Sequence, residues 1–226
     1  MKFYLIVLSN LCFALFSNFS TKSQETSSAF QPFWSVGLSS SYNNYGGITT
    51  SRNFDHKYDV ARQNIRVGAD LTRIFTERSA ITTGLYYYNV GYNAQFAFYS
   101  NELSDPTIPH TARVKLAYLD IPAMYRHRFI GGDDFELYGT GGMAVSFLIS
   151  NTSDVTYIDY SARKLENVQS GLASVQFGLG MQYNFMEKFG VTVEPQIRAY
   201  MSGFDPWMNQ QPWVFFGKLG IVYEMN

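Results

Sequence analysis

Few side chains in this sequence could carry hydrolytic chemistry. His56 stands beside Asp55 and three residues before Asp59, and His110 lies five residues after Asp105. A histidine near a carboxylate can move a proton, and with a serine it can activate a nucleophile. No serine stands out at a nucleophile's spacing near either one, so both read as solvated loop residues. His127 falls at the far end of the segment that follows His110 and cannot join them in one site. Asp55-His56 and Asp133-Asp134 supply nitrogen and oxygen ligands without a coordination spacing, so no metal and no cofactor is expected. The single cysteine, Cys12, sits in an apolar N-terminal run. That removes disulfide frameworks, cysteine-ligated zinc and a cysteine nucleophile from the body of the chain.

A second set of charged residues has a clearer pattern. Arg66, Asp70, Asp120, Arg126, Glu136, Glu194, Arg198 and Lys218 all fall on the polar face of segments that alternate polar and apolar residues. Charges of both signs in a confined interior are tolerated only when paired and hydrogen-bonded. The spacing predicts that Arg126 and Glu136 pair across a short turn, and that Asp120, Glu194 and Lys218 lie in similar layers. Such a network reads as a structural plug, with a narrow ion path or gate as the functional alternative.

The elements that must hold these charges have period two. Ile65, Val67, Ala69 and Leu71 oppose Asn64, Arg66, Gly68 and Asp70; Val175, Phe177, Leu179, Met181 and Tyr183 oppose Ser174, Gln176, Gly178, Gly180 and Gln182. The same template predicts eight strands, near 33–42, 62–72, 79–91, 113–128, 135–149, 169–184, 189–201 and 212–224, and no helix. All of these strands are ten residues or longer, where the ordinary globular strand has about five or six, and that length suits a tilted strand crossing a membrane. Long polar connections at 43–61, 92–112, 150–168 and 202–211 alternate strictly with short ones at 73–78, 129–134 and 184–188.

Composition agrees with a chain that water does not surround. Of 226 residues only 15% are charged, against about 25% in a soluble domain, while 46% are hydrophobic and 17% aromatic. A net charge of -1 and a pI near 6.3 exclude an electrostatic nucleic-acid binder. Lys2 followed by the apolar run 3–19 and by Thr21-Lys22-Ser23 reads as a signal peptide over 1–23, cut before Gln24; 24–32 is a flexible lead-in and 33–226 the barrel domain.

Two faces could bury the apolar side, a soluble core or lipid. The polar face mixes Gly68, Gly84, Gly142, Gly178, Gly180 and Gly220 with Tyr86, Tyr88, Tyr118 and Tyr138, a composition that fills a narrow eight-stranded lumen. Aromatic residues gather at the strand ends: Phe33, Trp34, Phe75, Phe129, Phe135, Phe185 and Phe189 on the turn side, Tyr42, Tyr92, Phe147, Phe204, Trp207 and Trp213 on the loop side. Two such girdles mark the rims of membrane barrels. The last strand sets Phe215, Leu219, Ile221 and Tyr223 on one face, like the C-terminal signal of outer-membrane barrels.

The expected fold is therefore all-β, an eight-stranded antiparallel up-and-down transmembrane β-barrel. Several segments carry a family resemblance: Thr83-Gly84-Leu85-Tyr86, Tyr118-Leu119-Asp120-Ile121-Pro122 with Tyr125 and Phe129, Leu137-Tyr138-Gly139 with Gly141-Gly142, and Val193-Glu194-Pro195. Together they resemble the PorT-like outer-membrane β-barrel family of the Bacteroidota. That resemblance implies an outer-membrane location and, for some members, a part in a protein-secretion apparatus; it transmits no catalytic site. The expected role is structural or interactive, with outer-membrane lipid and other cell-envelope or secretion proteins as partners. Long loops would lie outside the cell and both termini in the periplasm. The rival readings are a small outer-membrane enzyme acting on lipid or peptide through loop residues, and a soluble periplasmic ligand-binding barrel.

Overall fold

The computed structural model describes residues 30–46, 48–50, 57–60, 63–95, 109–132, 134–157, 168–204 and 212–225, and Pro32–Asn226 forms one compact unit. The N-terminal run, His56 and Trp207 lie outside the described residues. Ten strands follow one another: β1 (Phe33–Gly46), β2 (Ile48–Thr50), β3 (Lys57–Val60), β4 (Gln63–Ile74), β5 (Ser79–Gln95), β6 (Pro109–Gly131), β7 (Phe135–Tyr157), β8 (Gly171–Met186), β9 (Phe189–Tyr200) and β10 (Trp213–Met225). Eight of them close a barrel. Each long strand pairs antiparallel with its sequence neighbour, β1 with β10 shuts the ring, and β2 and β3 prolong β1 and β4 in the same register. Closure leaves no edge among the barrel strands, which is the arrangement that satisfies every backbone group inside a bilayer.

The faces follow the alternation. Leu38, Ile65, Phe177 and Leu179 are each more than half exposed on the outer wall, while Ser39, Arg66, Gln176 and Gly180 point inward. An exposed apolar surface that runs round the whole wall is far larger than the patches a soluble monomer shows, which sets the soluble barrel aside. Trp34, Phe75, Phe129, Phe135, Phe185 and Phe189 stand exposed at the rim that carries the short turns, and Tyr42, Phe147 and Trp213 at the other. Two aromatics depart from the expected girdle. Tyr92 and Phe204 are fully buried in the lumen, Tyr92 because it shares the inward parity of Tyr86, Tyr88 and Val90, and Phe204 because the chain after β9 folds over the barrel mouth.

Most strands run past their predicted ends, and in β6, β7 and β8 a β-bulge lies at the predicted end. The register slips at Phe129 in β6, at Ile149 in β7 and at Phe185 in β8. One extra residue breaks the period of two, so the alternation stops being readable at 128, 149 and 184 although pairing continues. Glycines make room inside. A Cβ at Gly68 would overlap the Tyr86 ring opposite it, and one at Gly180 would overlap Tyr138, so each large ring lies flat over a bare backbone.

Candidate functional site

The lumen is the place where this fold gathers its polar side chains, and it is filled in layers. At the loop side Tyr45, Tyr88, Tyr92, Tyr118, Tyr200, Phe204 and Phe216 form an apolar cluster with Val90, Val114, Leu116, Leu172 and Val214. Tyr88 and Tyr118 stack at 5.5 Å, and the Phe204 ring meets Tyr200 edge-on at 5.0 Å. Backbone hydrogen bonds pin the segment that delivers Phe204: Met201 N donates to Ala173 O at 2.8 Å, and Gln169 N donates to Phe204 O at 3.2 Å.

Below that cluster sits Asp120, fully buried. Its Oδ2 accepts from Arg66 Nη2 at 2.6 Å and from Arg198 Nη2 at 2.7 Å, and its Oδ1 accepts from Ser146 Oγ at 2.7 Å. The Arg66 guanidinium lies 3.6 Å from the centre of the Tyr86 ring, and Arg198 lies between the rings of Tyr88, Tyr200 and Phe216. Aromatic faces thus share the positive charge that one carboxylate leaves over.

The next layer is built on Lys218, whose Nζ is 2.8 Å from Asp70 and 3.9 Å from Glu194. Asp70 also accepts from Ser39 Oγ at 2.9 Å and from the Tyr86 hydroxyl, and Glu194 accepts from Thr140 Oγ1 at 2.5 Å. Glu194 and Lys218 face each other directly across β9 and β10, as their layer assignment expects. Asp120 belongs one layer higher. Its position along β6 predicts the Lys218 layer, but strand tilt and stagger carry β6 past β10, and Asp120 meets the arginines of β4 and β9 instead.

At the turn side Glu136 takes two arginines, Arg126 at 2.6 Å and Arg128 at 3.0 Å, and Arg126 also donates to Gln182 at 3.1 Å. Gln182 Nε2 reaches Glu224 at 3.4 Å. Arg128 and Glu224 join this layer beyond the eight charges that the sequence pattern predicts. Their parity with Arg126 and with Lys218 is the signal that could have found them. A cavity of about 40 Å³ remains among Arg66, Asp70, Arg126, Tyr138, Glu194 and Lys218, which is room for a few water molecules.

Among the described residues the lumen's charged groups are taken up in ion pairs with one another. Among the described residues no group of three histidine, cysteine or acidic side chains could hold a metal ion. Asp55, His56 and Asp105 lie outside the described residues, and of His110 only the backbone, in β6, is described. His127 is on the outer wall near the turn side.

The comparisons with known proteins agree with this architecture. No curated protein sequence matches the chain. The solved structure of OprG from Pseudomonas aeruginosa, an outer membrane protein, has a TM-score of 0.52 at 14% identity over 86% of this chain and 96% of that one. Ail of Yersinia pestis, an attachment invasion locus protein, gives 0.44 at 14% identity over 86% and 97%, and the outer membrane protease OmpT of Escherichia coli gives 0.44 at 10% identity over 86% and 96%. The outer membrane protein beta-barrel domain family matches residues 23–204, four fifths of the sequence and all but the last barrel strand. With the closed ring, the apolar outer wall and the packed polar lumen, that match makes this chain a member of the outer membrane protein β-barrel domain family.

Proposed function

We propose that this protein is a non-conducting outer-membrane barrel that works through its rims, as a structural or interaction protein of the cell envelope. The observation that carries the reading is the sealed lumen. The aromatic cluster occupies its loop-side part, and the Asp120 layer beneath it ties β4, β6, β7 and β9 together, so that among the described residues buried side chains fill the axis at both levels. A barrel that neither conducts nor holds a reacting centre in its lumen has its loops and turns left for contact with other molecules. In this reading the long loops are outside the cell, and the start of β1 and the end of β10, which share a rim with the short turns, face the periplasm, as do both termini. The resemblance to PorT-like proteins favours partners in or near a protein-secretion apparatus.

Three measurements test the proposal. Purified protein in a planar bilayer should give no steady conductance, and a reproducible open channel from the unmodified chain would overturn the reading. Crosslinking in the native membrane should capture defined envelope proteins, and a tag inserted in the loop at 96–108 should be labelled on intact cells. Labelling only after the outer membrane is permeabilised would reverse the orientation.

A further inference from the structure

The outer wall carries a feature that the sealed lumen does not explain. Two rows of outward side chains run across the strands, Tyr125, Gly141, Phe177, Ile197 and Phe215 in one, His127, Gly139, Leu179 and Pro195 in the other. Between them lies a shallow, almost wholly apolar groove that opens broadly to the outside. Its floor is low because Gly139 and Gly141 have no side chains; the Phe129 ring comes within 2.8 Å of where a Cβ of Gly139 would be, and Phe177 within 3.3 Å of that of Gly141. From β6 to β10 the groove crosses four strand spacings, about 19 Å. It begins at His127, four residues from the turn-side end of β6, and ends at Phe215, two residues from the loop-side end of β10. Because the strands tilt, it climbs from the turn-side rim into the membrane interior.

The rim end of the groove is polar. Ser79 Oγ and the Tyr125 hydroxyl are 3.0 Å apart, and Tyr125 lies 3.5 Å from His127 Nδ1. Arg78, exposed in the turn before β5, directly precedes Ser79, and its backbone carbonyl accepts from Arg128 N at 2.8 Å. Hydrogen-bonding groups and a cation at the headgroup level, joined to an apolar channel that descends from them, match the chemistry of one molecule class. We infer that this wall is a binding site for a glycerophospholipid of the turn-side leaflet. One acyl chain lies along the glycine floor, the phosphate sits at Arg78, and the polar headgroup atoms meet Ser79, Tyr125 and His127. Hydrocarbon must fill a groove that faces the bilayer core, since water there would leave its hydrogen bonds unmade. That the lipid is a phospholipid rests on the orientation proposed above; that a lipid is held does not.

The test uses the full folded chain in mild detergent, mixed with palmitoyl-oleoyl phosphatidylglycerol and weighed by native mass spectrometry. Because this probe does not depend on orientation, failure here and failure of the loop-labelling experiment are separate results. One lipid per chain should survive the detergent stripping that removes the rest. Gly141→Leu fills the floor and should lower the retained fraction by about tenfold, the effect of taking roughly two methylenes out of contact. Arg78→Gln, on an exposed turn where folding is not at risk, should lower it by about two- to fivefold, the scale of an exposed ion pair. Val67→Leu, on the outer face of β4, should leave it unchanged. Retention that is absent, or equal in all four proteins, overturns the inference. So does a dimer that Gly141→Leu dissociates, because the groove would then hold a second copy of this chain.

Discussion

Replacing Asp120 by asparagine keeps the size of the side chain and removes its charge, which leaves two guanidiniums, each under 5% exposed, facing an amide. The size of the effect can be worked from the contacts. Each arginine lies at 2.6–2.7 Å from the same carboxylate oxygen, a separation of charge centres of roughly 4 Å, and each attraction is worth about 4 kcal/mol at an effective dielectric of about 20. Both are lost at once, an upper bound of about 8 kcal/mol. Relaxation of the arginines towards the small cavity beside Arg66 brings the expected cost down to the ~3–5 kcal/mol typical of a broken buried pair. With a urea slope of about 2 kcal/mol per molar, the unfolding midpoint should fall by about 2 M. The assay is equilibrium unfolding in lipid vesicles, followed by the fluorescence of the three tryptophans and by gel migration without boiling. Asp120→Leu combined with Arg66→Met and Arg198→Met should recover to within about 1 kcal/mol of the native chain, since a buried ion network replaced whole by apolar groups is close to neutral. A cost below about 1 kcal/mol for Asp120→Asn, or a triple variant as unstable as the sum of its parts, would refute the argument that Asp120 holds the two arginines in place.

Other consequences are open to the same assays. Glu136→Ala should cost about 1–2 kcal/mol, partly offset when Arg126 is also removed, and strict additivity in that double-mutant cycle would reject the pair. Gly180→Val should destabilise by about 1–3 kcal/mol or block folding, because the new side chain collides with Tyr138; adding Tyr138→Ala should restore folding, and no rescue would mean the glycine acts otherwise. Leu38→Arg, at the middle of β1 on the outer wall, should cost about 2–4 kcal/mol in a bilayer, and a near-zero cost would show that this face does not meet lipid. Phe204→Ala should loosen the loop-side cluster and admit hydrogen exchange at Tyr88 and Tyr118 amides faster than in the native chain; unchanged exchange would show that the cap does not protect the strands beneath it.

Much of this fold was legible in the sequence for one physical reason. A strand turns successive side chains to opposite sides, so a wall with lipid outside and a packed lumen inside writes itself as a period of two. That rule alone distinguishes Ile65, Val67 and Leu71 from Arg66 and Asp70, and it places eight charged residues of eight different strand positions on one inner surface. It fails at Phe129, Ile149 and Phe185, where a bulge adds a residue, and at Phe204, which lies beyond β9 and has no parity to read.

What the alternation cannot contain is the offset between strands. Asp120 lies 54 residues from Arg66 and 78 from Arg198, and only the closed ring with its stagger sets β4, β6 and β9 so that one carboxylate meets both. The same stagger separates Asp120 from Lys218, aligns Gly139 and Gly141 with Phe177 and Phe215 on the outer wall, and brings Ser79 beside Tyr125 and His127. Sequence by itself determined which side of the wall each residue faces, because that depends only on its neighbours along the chain. Which residues meet on that side was decided by the tertiary structure, because contact across the barrel depends on tilt, register and closure, and these are properties of all the strands together.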